Sequence, residues 1–126
     1  MLQTYESLKT YIETKPFVTS DFPFDFDTLV FRVGKKIFVI MDWEASPLSI
    51  SLKADPTDAV ILRQTYPAVI PGYHLNKKHW NTVTCDGSVP DEEVRRMIDE
   101  SYRLVFDSLP EATKASLMTK KIHPAQ

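Results

Sequence analysis

Residues 29–43 read LVFRVGKKIFVIMDW, two apolar runs on either side of a Gly-Lys-Lys tripeptide. Short runs rich in Val, Ile and Phe are strand material. Gly34 can supply the positive φ that a tight hairpin turn demands. The pattern predicts strands over 29–33 and 37–43, joined by residues 34–36. The second run is apolar at nearly every position, so it belongs in the middle of a sheet. An antiparallel hairpin of this kind sets the class of the fold.

Outward from the hairpin, residues 48–53 alternate strictly. Leu48, Ile50 and Leu52 face inward, and Ser49, Ser51 and Lys53 face outward. Asp55-Pro56-Thr57-Asp58 opens a helix, with Asp55 as cap and Pro56 in the first turn, that runs to about Tyr66 and stops before Pro67. Residues 80–85 make a further strand, with Asp86-Gly87 as its turn. A first helix spans 2–14, with Tyr5, Leu8, Tyr11 and Ile12 on one face, and Lys15-Pro16 ends it. The last helix is capped by Ser88 and buries Val94, Met97, Ile98, Ser101, Tyr102, Val105 and Leu109. Residues 19–28, TSDFPFDFDT, read as a loop with Phe22, Phe24 and Phe26 pinned inward and its Asp residues solvated. The expected architecture is α+β, an antiparallel sheet covered on one face by helices. Residues 1–110 form a single domain, and 111–126 a weakly ordered basic tail.

Composition narrows the function classes. At 126 residues the chain can bury one core without disulfides or metals to hold it. Its one cysteine, Cys85, allows no intramolecular disulfide and no Cys-rich zinc site. The N-terminus has acids and helical periodicity rather than a basic start and an apolar core, so it does not read as a signal peptide. No apolar run approaches the ~20 residues that span a bilayer. The expectation is a cytoplasmic protein with no membrane role. Net charge is −2, without the basic excess usual in nucleic-acid binders. The cations gather in the middle, where residues 32–85 hold seven Lys and Arg against four acids.

Five segments, in order, resemble the YjbR/MmcQ-like family of small bacterial proteins. They are DTLVFRVGKKIFVIM (27–41), SLKADP (51–56), YPAVIPGYHLNKKHWNTV (66–83), DGSVPDEEV (86–94) and SYRLVFDSLP (101–110). The resemblance implies a fold similar to the CyaY/frataxin-like α+β class and a DNA-binding role through a "double wing".

The loop 66–80 is the richest candidate site. Lys77 and Lys78 can meet phosphates, His74, His79 and Asn76 can hydrogen-bond, and Tyr73 or Trp80 can stack on a base. Its structural alternative anchors Tyr73, Leu75 and Trp80 in the core, with the lysines solvated and Asn76 shaping a turn. Arg32, Lys35 and Lys36 at the hairpin, with Lys53 on the next strand, form a second cationic group suited to a phosphate backbone or simply to solubility. No metal set is expected: His74 and His79 lack converging ligands, and Asp21, Asp25, Asp27, Asp42 and Glu44 read as solvating acids. Cys85 reads as a small buried hydrophobe, and no catalytic or cofactor motif stands out, so an enzyme is not expected. Two functions follow. One is DNA binding through the basic hairpin and the loop. The other is a small-anion or protein-partner module in which Tyr66, Tyr73, His74 and Trp80 line a cleft. A convex basic strip separates the first from the concave, partly apolar pocket of the second.

Overall fold

The computed structural model describes residues 3–122, with side chains to residue 119. The elements run α1 (Tyr5–Glu13), β1 (Val18–Asp21), β2 (Thr28–Val33), β3 (Lys36–Asp42), β4 (Ser49–Lys53), α2 (Pro56–Thr65), β5 (Val69–Pro71), β6 (Trp80–Thr84), α3 (Asp91–Asp107) and α4 (Glu111–Ile122). The strands form one sheet in the order β1-β2-β3-β4-β6-β5, antiparallel throughout. This is the expected α+β class, with the apolar run of β3 in the interior of the sheet. The expected first helix begins at Tyr5 with Thr4 as its cap, and residue 2 lies outside the described residues.

Register explains which face is buried. Leu29, Met41, Ile50, Val83 and Val69 pair in one row across five strands. All five sit in the core beneath the helices, with Leu8 and Ile12 of α1, Leu62 of α2, and Val94, Ile98 and Val105 of α3. Burying each such side chain is worth about 1.5–3 kcal/mol. α1, α2 and α3 bury their apolar side chains against this face, and the other face lies away from them. There a second row runs Val30, Ile40, Ser51, Thr82 and Ile70.

Two strands escaped the sequence reading. β1 overlaps the start of the segment read as a loop, and β5 is three residues ending in Pro71. Val33 pairs with Lys36, so the hairpin turn is only Gly34 and Lys35, with φ of 56° and 72°. That two-residue, positive-φ turn matches strand twist, and Gly34 is also needed for space: a Cβ there would lie 2.7 Å from Leu109 Cδ1. Past Phe31 the pairing slips by one residue, so Phe38 has no partner across the ladder. Ser101 of α3 repairs the gap. Its hydroxyl donates to the Phe38 carbonyl at 2.6 Å and accepts from the Lys53 amide at 2.9 Å.

Ser88 is not the cap of α3. It is held by Asp86, which accepts from its amide at 2.9 Å and its hydroxyl at 2.6 Å, and the helix starts after Pro90 without a side-chain cap. Asp91, Glu92 and Glu93 in the first turn supply favourable charge instead. The expected weak tail is also corrected. Residues 111–122 form helix α4, whose Leu117 packs on the core, while 123–126 lie outside the described residues.

Candidate ligand cleft on the outer sheet face

Two loops fold over the sheet face that lies away from α1, α2 and α3. Residues 22–27 connect β1 to β2, and residues 72–79 connect β5 to β6. Between them lies a cleft of about 570 Å³. Ile40, Ser49, Ser51 and Thr82 form its floor. Phe24, Asp25 and Asp27 come from the first loop, and Tyr73, His74 and Leu75 from the second. Thr28 and Asp42, cross-strand partners, complete it.

The floor departs from the simple alternation rule. Ser51 does face away from the core, yet it is buried, because the second loop covers it. Its hydroxyl shares a 2.8 Å hydrogen bond with that of Thr82, which also accepts the Tyr73 amide at 3.0 Å. Those contacts fasten the loop to the sheet. Close packing at Gly72 does the same: a Cβ there would stand 2.8 Å from Trp80 Cβ and 3.1 Å from Leu75 Cβ.

The walls correct two expectations. Phe22, Phe24 and Phe26 are not pinned inward, being 45%, 66% and 88% exposed. Tyr73 does not anchor the loop in the core, since it is 68% exposed, with its ring 4.1 Å from that of His74. His74 itself adopts a left-handed backbone with φ of 58°. Large apolar side chains are seldom left uncovered in a cluster unless something binds them.

The anchor that the sequence reading missed is Arg63 on α2. Its Nε donates to Asn81 Oδ1 at 2.7 Å, and its Nη2 donates to the carbonyls of Lys77 and, at 3.3 Å, Trp80. Asn81 in turn donates to the Ala59 carbonyl at 3.3 Å. Asn76 makes a turn, its Oδ1 accepting the Lys78 amide at 2.9 Å. His79 and Trp80 are half-buried, and Lys53 pairs across the ladder with Trp80. Tyr66, expected in a cleft with Tyr73 and Trp80, instead packs against the core, and Trp80 does not line the cleft.

Several of the cations proposed for phosphate contact are already engaged. Arg32 Nε donates to Asp21 Oδ1 at 2.8 Å, and its Nη1 to the Lys35 carbonyl at 3.1 Å. Lys36 reaches the Ser108 carbonyl at 3.4 Å, and Lys77 the Gly72 carbonyl at 2.8 Å. The ammonium groups of Lys35, Lys53 and Lys78 have no hydrogen-bond or ion-pair partner among the described residues. Register places all three at one end of the sheet, beside the β2–β3 turn. Arg32 and Lys35 also line a second cleft of about 750 Å³ between that hairpin and α4, facing Thr113 and Ser116.

The opposite end is acidic. The hydrogen bond and nearby charge of Asp27 hold the Glu44 carboxyl above its ordinary range, with a further push from Asp42. Among the described residues no group of three or more His, Cys, Asp or Glu side chains is arranged to hold a metal ion. Cys85 is buried, and desolvation with the neighbouring Asp86 pushes its thiol up to about 12. No helix of the described residues is long and apolar enough to cross a membrane.

Comparison with known proteins places this geometry among relatives. Residues 13–104 match the family model described as YjbR. The chain is 36% identical over 105 residues to the uncharacterized protein YbdF of Escherichia coli O157:H7, covering 83% of this chain and 86% of that protein. It is 33% identical over 115 residues to the uncharacterized protein YjbR of Escherichia coli K12, covering 91% of this chain and 98% of that protein. A crystal structure of Deinococcus radiodurans protein DR2400, with a DUF419 domain, superposes with a TM-score of 0.88 at 41% identity, covering 93% of this chain and 89% of that one. A Pseudomonas syringae protein superposes with a TM-score of 0.70 at 25% identity, covering 81% of this chain and 98% of that one.

Proposed function

For a chain that belongs to the YjbR family of small bacterial proteins, we propose a binding module whose ligand site is the cleft on the sheet face away from α1, α2 and α3. The observation that carries this reading is the exposure of Phe24 and Tyr73 at a concave site of about 570 Å³. Clefts of about 300–1,000 Å³ with apolar walls and a few fixed polar groups are the usual form of small-ligand sites. The polar groups here are the hydroxyls of Ser49, Ser51, Thr28 and Thr82 and the carboxylates of Asp25, Asp27 and Asp42. A partner peptide fits the same surface. A small anion does not suit it, because those carboxylates face it and His74 is the one basic side chain in its lining.

DNA binding is the second reading, favoured by the three unpaired ammonium groups of Lys35, Lys53 and Lys78 at one end of the sheet. Three such contacts give weak association that fades as salt rises. Backbone-amide NMR separates the two readings. A fragment set of mixed charge, and separately a DNA duplex, are added to the labelled chain. The cleft reading expects fragments to move the amides of residues 49–51, 73–75 and 82. It is overturned if no fragment moves them while duplex DNA moves residues 35, 53 and 78 at near-physiological salt.

A further inference from the structure

Fragment binding at the cleft leaves open which ligand chemistry the site prefers, and its lining carries that information. Three of its residues are aspartates and none is lysine or arginine. Two largely uncovered aromatic rings, Phe24 and Tyr73, stand on the loops that flank it. Ring faces attract cations, most strongly where carboxylates stand nearby and water is partly excluded. The acids are crowded enough that a hydrogen bond to Asp27 and the charges of Asp27 and Asp42 hold the nearby Glu44 carboxyl above its ordinary range. The carboxylates are not gathered tightly enough to chelate a metal ion. Spread acids between aromatic walls suit a larger, more diffuse charge.

Resting on the cleft as the ligand site, we propose that its ligand is a small organic cation, an ammonium group carried on an aromatic or apolar body. The ammonium group lies toward Asp27 and Asp42, where β2 begins and β3 ends, and the apolar body lies over Ile40 between Phe24 and Tyr73. The floor adds one preference. Ser51 and Thr82 share a single hydrogen bond between two hydroxyls, which leaves one hydroxyl proton for an acceptor on the ligand. A hydroxyl or ether beside the apolar body would accept it.

Phenethylammonium and 3-phenylpropionate test this, since they carry opposite charges on closely similar apolar bodies. Each is titrated into the full chain while the amides of Tyr73 and Thr82 are followed by NMR. The expected result is saturable shifts with the ammonium compound and none with the carboxylate. Asp27→Asn and Asp42→Asn each weaken the ammonium compound about threefold to tenfold, and Phe24→Ala weakens it as well. Near-isosteric Asn variants whose thermal unfolding matches the parent exclude a folding defect. Equal or tighter binding of phenylpropionate overturns the cation proposal while leaving the cleft as the site. So does unchanged affinity in both Asn variants. Shifts at Tyr73 and Thr82 with a short lysine peptide but not with phenethylammonium overturn the small-ligand proposal in favour of a peptide. Absence of cleft shifts with every probe, the mixed-charge set included, overturns the cleft reading itself.

Discussion

Ser101 shows how much one hydroxyl can hold in this fold. Fully buried on α3, it satisfies a carbonyl on β3 and an amide on β4 just past the last pair of their ladder, beside the bulge between β2 and β3. Unpaired buried backbone groups are costly, so Ser101→Ala should destabilise the chain by about 1–3 kcal/mol in chemical denaturation. A loss within experimental error would mean that water or backbone movement repairs the bulge without it. The sequence reading placed Ser101 on the buried stripe of the last helix, which is correct, but its partners were invisible. They stand 63 and 48 residues away and meet it only once the register is known. The burial of Cys85 was legible, since a lone cysteine at a strand end is most simply a packed thiol. Its raised thiol keeps it protonated through neutral pH.

Among the elements, the loop 72–79 depends on α2. Arg63 is its clamp, reaching two loop-side carbonyls and Asn81. Arg63→Ala should cost about 1–3 kcal/mol and speed amide exchange through residues 76–80 relative to the core strands. Exchange unchanged in that segment would show that Gly72 packing and the Thr82 bond hold the loop without Arg63. Strong periodicity made the central elements legible: β2, β3, β4, β6, α2 and α3 follow from their apolar patterns and turn residues. β1 was hidden because its burial runs half-buried then exposed, with no alternation to read. β5 was hidden by its length and by Pro71. α4 has few apolar side chains and packs mainly through Leu117, so its sequence looked like a tail. Phe22, Phe24 and Phe26 misled for a different reason: aromatic residues suggest a core, and here Phe24 lines a cleft, Phe22 lies edge-on to Trp43 and Phe26 is exposed.

Across the whole molecule, the sheet has one face devoted to folding and one left to the two loops. The candidate site recognised from sequence, residues 66–80, supplied Tyr73, His74 and Leu75 to the cleft. The rest of the cleft came from Phe24, Asp25, Asp27 and Thr28 and from Ile40, Asp42, Ser49, Ser51 and Thr82, positions scattered along the chain that strand pairing brings together. That juxtaposition is a property of register, which no local pattern states. The cations expected to act together were divided by the fold, with Arg32, Lys36 and Lys77 drawn into internal hydrogen bonds. The sharpest test of the cleft as a ligand site is made on the double variant Phe24→Ala/Tyr73→Ala, by chemical denaturation together with amide NMR against the mixed-charge fragment set. Surface substitutions away from the core change stability little, so unfolding is expected within about 0.5–1 kcal/mol of the parent, with fragment shifts at Thr82 abolished. A loss of more than about 2 kcal/mol would show that the two rings serve the fold, and fragment shifts that survive unchanged would show that they do not form the ligand site.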